Sequence, residues 1–375
     1  MIYLDNAATG GFKPRAVTDA AATVTKYLCA NPGRSGHRLS LTGERCVFAC
    51  REALADMFDG IPERTVFTKN CTEALNTAIF GTLKKGGHVI TTVFEHNSVL
   101  RPLHYLAQQG YITLDIVSSD ENKGIAREIE SRIRPDTYLI CMTSVSNVTG
   151  EEFPVSEVGR IASEHGIKYL VDGAQGGGHV PLSLTKQHIS MLALPGHKGL
   201  YGIMGSGALL FDKNTDISPL TYGGTGTESY NLNQPSEYPE RLEAGTVNLP
   251  AIAALTEGVR YIKSNINNFG AHLLSSTDRI ISELSLLRHV SIYSHPNRSG
   301  IVAFAFDKIP SAEAADILNS EYDIAVRGGL HCAPLTHRHL GTEDGGLIRT
   351  SLSVQNSARE ISYFLKAVRE ISEKQ

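Results

Sequence analysis

The chain has 375 residues, of which 41% are hydrophobic and 20% are charged, and its formal net charge at pH 7 is −4. A chain of this length is too long for one small core, so two globular domains are predicted. The weak negative charge gives no electrostatic reason to expect a nucleic acid or an anionic membrane as a partner. No segment approaches about 18 consecutive apolar residues, and the first ten residues lack a basic region followed by an apolar stretch. A cytoplasmic protein is therefore expected.

The cysteines are scattered along the chain without a Cys-x-x-Cys pair. In a chain this long, that spacing indicates reduced thiols rather than a disulfide framework. Two of them are four residues apart on a predicted helix, which is typical of a shared buried face. The six are Cys29, Cys46, Cys50, Cys71, Cys141 and Cys332.

Short β-rich runs alternate with amphipathic stretches in residues 16–250. The helical patterns between the runs end at glycine, a common helix stop. This alternation predicts an α/β domain whose mostly parallel sheet is covered by helices on both faces. The predicted strands are 65–68, 88–94, 112–117, 138–145, 168–172, 190–194 and 207–211, and the helices between them include 72–86, 97–110 and 155–166.

The alternation of predicted strands and helices changes near residue 250. Residues 251–375, together with 1–15, are predicted to form a smaller α+β domain. No linker of low complexity and no internal repeat separates the two parts, so they should pack tightly. The predicted elements are helices at 248–268, 270–287 and 311–320, strands at 300–306 and near 323–327, and a closing helix from Ala358.

Polar side chains follow several predicted strands, at the edge where open α/β sheets bind ligands. Thr72 comes after the first strand, at the start of a helix, where backbone N–H groups favour a phosphate; a plain N-cap threonine is the alternative. His96 and Asn147 follow two further strands. A lone histidine in such a position often has only a structural role.

The next two strands are followed by a carboxylate and by a lysine. Asp172 ends a buried strand and therefore requires a cationic partner from the protein or from a ligand. Lys198, between His197 and a glycine-rich turn, is a candidate for forming a Schiff base with an aldehyde cofactor. A lysine, a phosphate cradle, a buried carboxylate and a ring-stacking histidine are the groups that pyridoxal 5′-phosphate requires. Their order along the chain predicts that cofactor.

The same segments carry a family resemblance over nearly the whole chain. They are YLDNAATG, NPGRSGHRLS, NCTEALN, EHNSVLRPL, SNVTGE, VDGAQ, GHKGLYGI, EAGTVN, VRGGLHCAP and RTSLSVQN. In this combination the sequence resembles the class V aminotransferases, which have the fold type I architecture of pyridoxal-phosphate enzymes. Within that group it is most similar to the cysteine desulfurases and selenocysteine lyases.

The resemblance implies a role for each cofactor-site residue. Lys198 would hold the cofactor aldehyde, Asp172 the pyridine nitrogen and Gln175 the ring hydroxyl, while His96 would stack on the ring and take part in catalysis. Three residues would hold the phosphate: Thr72, His197 and, from the other subunit of a homodimer, Thr246.

The resemblance also implies a binding site for the substrate carboxylate. Asn147 and Arg349 would bind it, Arg349 as a bidentate clamp, and Arg327 would assist from the cysteine loop. One position departs from the family pattern, because Pro195 stands where many members have a serine that contacts the phosphate. We therefore do not count residue 195 as a ligand.

Cys332 lies in the segment RGGLHCAP, residues 327–334. The resemblance implies that its thiolate attacks the sulfur of L-cysteine, leaving L-alanine and an enzyme persulfide, with selenocysteine accepted as well. Gly328 and Gly329 suit a loop that swings toward a sulfur-acceptor protein. The compact loop resembles that of the group II, SUF-type enzymes more than the longer serine-rich loop of group I.

Several alternatives remain at the sequence level. Cys332 could merely pack, or it could form a zinc cluster with His331, His337 and His339, although their spacing fits no common structural site; no metal is predicted. Aminotransferases, epimerases and kynureninase-like enzymes of the same family need no thiol at this position. Selenocysteine lysis could also be the main activity. The glycine-rich segment 223–229 lacks the Walker spacing and is interpreted as a mobile loop at the mouth of the site.

Overall fold

A seven-stranded sheet forms the centre of the computed structural model, which describes residues 1–28, 30–119 and 124–374. Cys29 lies outside the described residues. The strands are β1 (Ile2–Tyr3), β2 (Thr65–Thr68), β3 (Gly87–Thr92), β4 (Ile112–Val117), β5 (Thr137–Thr143), β6 (Lys168–Asp172), β7 (Met191–Pro195), β8 (Gly207–Phe211), β9 (Val290–Ile292), β10 (Ile301–Phe306), β11 (Ile324–Ala325), β12 (Arg327–Gly329) and β13 (Leu347–Ser351).

The order in the large sheet is β2-β8-β7-β6-β5-β3-β4. β3 to β7 pair in parallel, and only β8 runs antiparallel to its two neighbours. The prediction of a mostly parallel sheet is confirmed. Strand bounds in this sheet agree with the predicted runs to within two residues.

Helices cover both faces of this sheet. Alternate strand residues enter two separate cores: Ile140 and Val171 face one side, whereas Leu139 and Leu170 face the other. Both faces are therefore buried, which explains the continuous apolar runs in the sequence. The helices are α1 (Arg15–Tyr27), α2 (Arg38–Phe58), α3 (Cys71–Gly81), α4 (Asn97–Gln108), α5 (Gly124–Ser131), α6 (Val155–Glu164), α7 (Leu249–Lys263), α8 (Ile266–Leu284), α9 (Ser311–Tyr322), α10 (Pro334–His339) and α11 (Ala358–Glu373).

The prediction of one continuous helix over 248–268 is wrong at its C-terminal end. α7 stops at Lys263 and α8 begins at Ile266. Between them, the side-chain amide of Asn265 donates to the carbonyl of Tyr261 at 2.8 Å. Asparagine competes in this way for backbone hydrogen bonds and favours helix boundaries.

A smaller antiparallel sheet, in the order β12-β13-β10-β9, lies in the C-terminal part. The N-terminus packs beside it: β1 pairs in parallel with β11 in a separate two-stranded sheet, and Leu4 enters the same core as Phe304 and Phe364. The division into residues 16–250 and 251–375 with 1–15 stays a prediction. α7, beyond residue 250, packs with α1 and α2 on the large sheet's core. Within the described residues, no helix is both long and apolar enough to span a bilayer.

A buried ion pair ties α2 to the segment before α7. Arg51 donates two hydrogen bonds to the Glu243 carboxylate, at 2.8 and 2.6 Å, and both side chains are less than 10% exposed. The same carboxylate accepts from the backbone N–H of Phe67 on β2 at 2.6 Å. The pair thus fixes the chain leading to Thr246 against the large sheet.

Removing one partner of this pair should destabilise the fold. We expect Glu243→Ala to lower the free energy of unfolding by about 3–5 kcal/mol, because it leaves the Arg51 guanidinium buried without a counter-charge. Urea denaturation of the cofactor-free protein measures this difference. The matched control is Glu237→Ala, an exposed glutamate of the same segment, which should change stability by about 0.5 kcal/mol or less. Equal effects of the two substitutions would contradict the prediction.

Candidate active site

The candidate residues of the large sheet lie at the edge where its parallel strands end. Asp172 is the last residue of β6, and Lys198 follows the neighbouring strand β7. His96 follows β3, and the charges of Asp172 and Lys198 both act on the pKa of its ring. The structure therefore brings together residues that are far apart in the sequence.

The amine of Lys198 has a pKa below that of a free lysine. Burial lowers its pKa, the positive charges of Arg349 and Arg327 lower it further, and Asp172 only partly opposes them. Within the described residues, the amine has neither an ion-pair nor a hydrogen-bond partner. A lysine amine with a lowered pKa and no partner within the protein is suited to attack a carbonyl cofactor.

Asp172 is a buried carboxylate, 3% exposed. Its Oδ1 accepts hydrogen bonds from the backbone N–H of Ala174 at 2.8 Å and from the thiol of Cys71 at 3.4 Å. Among the residues that the structure describes, no cationic side chain pairs with it. Because a buried carboxylate is costly without a cation, the site fits a ligand with a protonated ring nitrogen, as pyridoxal phosphate has.

The first turns of α3 and α4 meet beside these residues. The ring Nδ1 of His96 accepts from the backbone N–H of Ser98 at 3.0 Å, so the neutral ring carries its proton on Nε2; burial lowers the pKa of this histidine. The hydroxyl of Ser98 lies 2.8 Å from that of Thr72. The interpretation of Thr72 as an N-cap is wrong, since Asn70 caps α3 through a 2.9 Å bond to the N–H of Glu73.

Residues 5–13, which we call the N-terminal strap, cross the site from the small sheet. Gln175 is 2% exposed and donates from Nε2 to the carbonyl of Ala7 at 3.0 Å. The Nδ1 atom of His197 lies 3.1 Å from the Thr9 hydroxyl. Burial, with the charges of Lys198 and Lys13 adding to it, lowers the pKa of His197 to about 4. Both predicted cofactor ligands are thus held in place by the strap.

Arg349 is fully buried on β13, where it donates from Nη2 to Asp5 of the strap at 3.0 Å and from Nη1 to the carbonyl of Asn147 at 2.8 Å. Its Nε has no partner among the described residues. Arg327 lies directly across the strand pair from Arg349. Like charges in that position are unfavourable unless an anion lies between them or nearby, so this edge fits a carboxylate ligand.

Cys332 is exposed, in contrast to buried Cys50, Cys71 and Cys141. Its sulfur lies 3.8 Å from Nη2 of Arg327, and its carbonyl accepts from the N–H of Asn97 at 2.8 Å, next to His96. Cys332 and the preceding residue have left-handed backbone angles, φ 59° and 50°. Side chains rarely adopt these angles, and such strain is concentrated at functional sites.

The expectation that Gly328 and Gly329 make the loop flexible needs correction. Both lie in β12 and pair with β13. A Cβ at position 328 would lie 2.3 Å from the carbonyl oxygen of Ser311, so this glycine is needed for close packing on α9. The segment outside regular structure is confined to residues 330–333.

The alternative zinc cluster does not form. His331 bonds through Nε2 to the carbonyl of Leu347 at 3.0 Å and packs against His337, while the Cys332 thiol faces solvent. In the part of the chain with described coordinates, no three His, Cys, Asp or Glu side chains converge as metal ligands would.

Thr246 is the last of the predicted cofactor ligands. Its side chain is exposed and makes no hydrogen bond to any described residue. The residues that the sequence did not indicate are Ser98 and, from the strap, Asp5, Ala7, Thr9 and Lys13. Of these, only Ser98 could have been suspected from the sequence, because its hydroxyl follows the predicted ligand His96 by two residues.

Comparisons with known proteins show the family to which the chain belongs. The family model for class-V aminotransferases matches residues 2–364. A probable cysteine desulfurase of Methanothermobacter thermautotrophicus is 31% identical, covering 99% of this chain and 94% of its own. Another, of Pyrococcus abyssi, is 32% identical with the same coverage of 99% and 94%. The apo structure of a cysteine desulfurase from Thermococcus onnurineus NA1 has a TM-score of 0.93 at 32% identity, covering 100% of this chain and 95% of that one.

Proposed function

This chain belongs to the class-V aminotransferase family, and we propose that it is a pyridoxal-phosphate-dependent cysteine desulfurase. It converts L-cysteine to L-alanine and carries the sulfur on Cys332 as a persulfide. The observation that carries the proposal is the exposed thiol beside Arg327, on a loop bonded to the start of α4 next to His96. None of the other family activities requires a thiol there.

The residues at the strand ends would hold the cofactor. Lys198 would bind its aldehyde, Asp172 its ring nitrogen and Gln175 its ring hydroxyl, while His96 would stack on the ring. When bound, pyridoxal phosphate withdraws electrons from the α-carbon of the amino acid. Thr72, His197 and Thr246 of a second copy of the chain would bind the phosphate.

The substrate carboxylate is held by arginine. The Nε atom of Arg349 has no partner among the described residues, and Arg327 adds a second positive charge from the neighbouring strand. Asn147 bonds both to Arg349 and to the cysteine loop. Its backbone carbonyl accepts from Arg349, and its side-chain amide donates to the carbonyl of His331 at 2.7 Å. Carboxylate binding and the cysteine loop are therefore linked through one residue.

The sulfur step then uses Cys332 as the nucleophile. Its thiolate forms a bond to the substrate sulfur, and the bond between that sulfur and the substrate β-carbon breaks. The electron pair of the broken bond stays with the carbon, which takes up a proton to become the methyl group of alanine. The terminal sulfur remains as a persulfide, exposed for transfer to an acceptor protein that docks near residues 327–334, as in iron–sulfur cluster assembly. Selenocysteine, with the weaker carbon–selenium bond, is accepted as well.

The first test is the loss of the thiol. We expect Cys332→Ala to keep the visible absorbance of the bound cofactor but to release alanine from L-cysteine at least about 100-fold more slowly, since a nucleophile is lost. The control Cys46→Ala removes a partly buried thiol on α2 and should behave like the parent. Alanine release at the parental rate in Cys332→Ala would exclude the persulfide step and favour selenocysteine lysis or another family activity.

The second test concerns Arg349. Its planar guanidinium can bind a carboxylate in two hydrogen bonds, which lysine cannot copy. We expect Arg349→Lys to raise KM for L-cysteine by roughly 30- to several thousand-fold, the effect of losing a charged pair worth about 2–5 kcal/mol, with little change in the cofactor absorbance. Lys198→Ala, by contrast, should lose that absorbance.

Steady-state kinetics measures the Arg349 effect, with Arg279→Lys, at a half-buried arginine of α8, as the control. If Arg349→Lys has the parental KM, the carboxylate clamp lies elsewhere.

A homodimer completes the phosphate site in this proposal. The segment that leads to Thr246 supports the homodimer. In this segment two large apolar side chains, Tyr230 and Leu232, are completely exposed. Isolated chains rarely leave such groups in water together, and partner subunits bury them.

Light scattering should therefore give twice the chain mass of 40.6 kDa. We expect Tyr230→Asp combined with Leu232→Asp to yield monomers that bind the cofactor more weakly. Met204→Asp, a control at another exposed apolar residue, 71% accessible, should stay dimeric. A parent protein that is monomeric with the cofactor bound would contradict the dimer.

A further inference from the structure

The N-terminal strap converges on a single backbone atom, the carbonyl oxygen of His197. Gly10 donates its N–H to this oxygen at 2.9 Å, Lys13 its amine at 2.9 Å and Thr9 its hydroxyl at 3.3 Å. A carbonyl has two lone pairs, so three donors saturate it. The peptide concerned is the one that joins His197 to Lys198.

The strap is folded so that it can reach this peptide. The hydroxyl of Tyr3 lies 3.0 Å from the carbonyls of both Asp5 and Thr9, which closes the strap into a compact loop. The side chain of Asn6 accepts from the N–H of Gly11 at 3.0 Å and donates to the carbonyl of Ser351 at 2.9 Å. The strap is thus bonded both to itself and to the small sheet.

The contact with the lysine turn is close-packed. A Cβ at Gly10 would lie 3.3 Å from the carbonyl oxygen of Lys198 and 3.4 Å from that of His197. The strap therefore packs against the backbone on both sides of the 197–198 peptide. Any movement of this peptide requires the strap to move as well.

Lys13 is the only charged donor among the three. Within the described residues no carboxylate pairs with its amine, and burial lowers its pKa to about 8. Its charge reaches the active site, because it contributes to the lowered pKa of His197. A partly buried cation whose bonded partner is one carbonyl oxygen makes a charge-assisted hydrogen bond, which is stronger than a neutral one.

We propose that Lys13 is a positioning residue for the cofactor: it holds the His197 carbonyl and thereby sets the orientation of Lys198. This inference rests on the proposed function. Lys13 acts through the backbone and by its charge, and it does not touch the reacting atoms. The strap thereby connects the small sheet, which it contacts at Arg349 and Ser351, to Lys198.

The test compares the variants Lys13→Met and Lys13→Arg in the apoenzyme. Methionine keeps most of the apolar stem but removes both the charge and the donor, whereas arginine keeps them. We expect Lys13→Met to capture pyridoxal phosphate on Lys198 about 10- to 100-fold more slowly and to lose it correspondingly faster, the effect of one charged hydrogen bond. Lys13→Arg should restore most of the parental rate. The control is Lys26→Met, an exposed lysine on α1.

A spectroscopic titration gives a second readout that a purely structural role would not change. A nearby cation disfavours protonation, so removal of the Lys13 charge should raise the pH midpoint at which the absorbance of the bound cofactor changes. Lys13→Arg should leave the midpoint at the parental value. Circular dichroism verifies that each variant is folded.

The outcomes separate this inference from the proposed function. A parent apoenzyme that fails to capture pyridoxal phosphate would overturn the proposed function itself. Normal capture by the parent, with Lys13→Met matching it in both rate and midpoint, would overturn only the role of Lys13. The role also fails if Lys13→Arg is as impaired as Lys13→Met, because packing rather than charge would then explain the loss.

Discussion

Buried charges that the protein itself pairs incompletely, at the edges of two sheets, are the constraint on which the rest of the site depends. Arg349 is fully buried, and its charge, together with that of Arg327, lowers the pKa of Lys198. Asp172 opposes them but pairs with no cation among the described residues, and Asp5 binds only one arm of Arg349. Because isolated buried charges are costly, the arrangement is suited to a ligand that brings a ring cation to Asp172 and a carboxylate to the arginines.

The fold meets this constraint by joining two sheets through one short segment. The large sheet supplies Asp172 and Lys198 from adjacent strand ends, whereas the small sheet supplies both arginines from adjacent strands. The N-terminal strap contacts each set, through Asp5 to Arg349 and through its far end to the peptide before Lys198. The geometry of the cleft therefore depends on the first 13 residues as much as on the sheets.

The sequence predicted the parts of the site that follow from strand order. Asp172, His96 and Lys198 could be found because the ends of parallel strands meet at one edge. The strap contacts could not: Asp5 and Arg349 are 344 residues apart in the chain, and no local pattern encodes which donors reach the His197 carbonyl. Gly328 was likewise misinterpreted as a hinge, since its close approach to α9 depends on tertiary packing.

The cysteine loop holds its backbone firmly and leaves its thiol exposed. The side chain of Cys332 reaches solvent, while hydrogen bonds to main-chain carbonyls hold the loop: Asn97 to Cys332, Asn147 to His331, and the His331 ring to Leu347. At about 0.5–1.5 kcal/mol each, these three bonds together oppose displacement of the loop by a few kcal/mol, and the burial of His331 and Ala333 adds to that. These contacts maintain the left-handed backbone angles of His331 and Cys332. Under the proposed function, the loop thus keeps the thiol beside Arg327, with β12 and α10 fixed at its two ends.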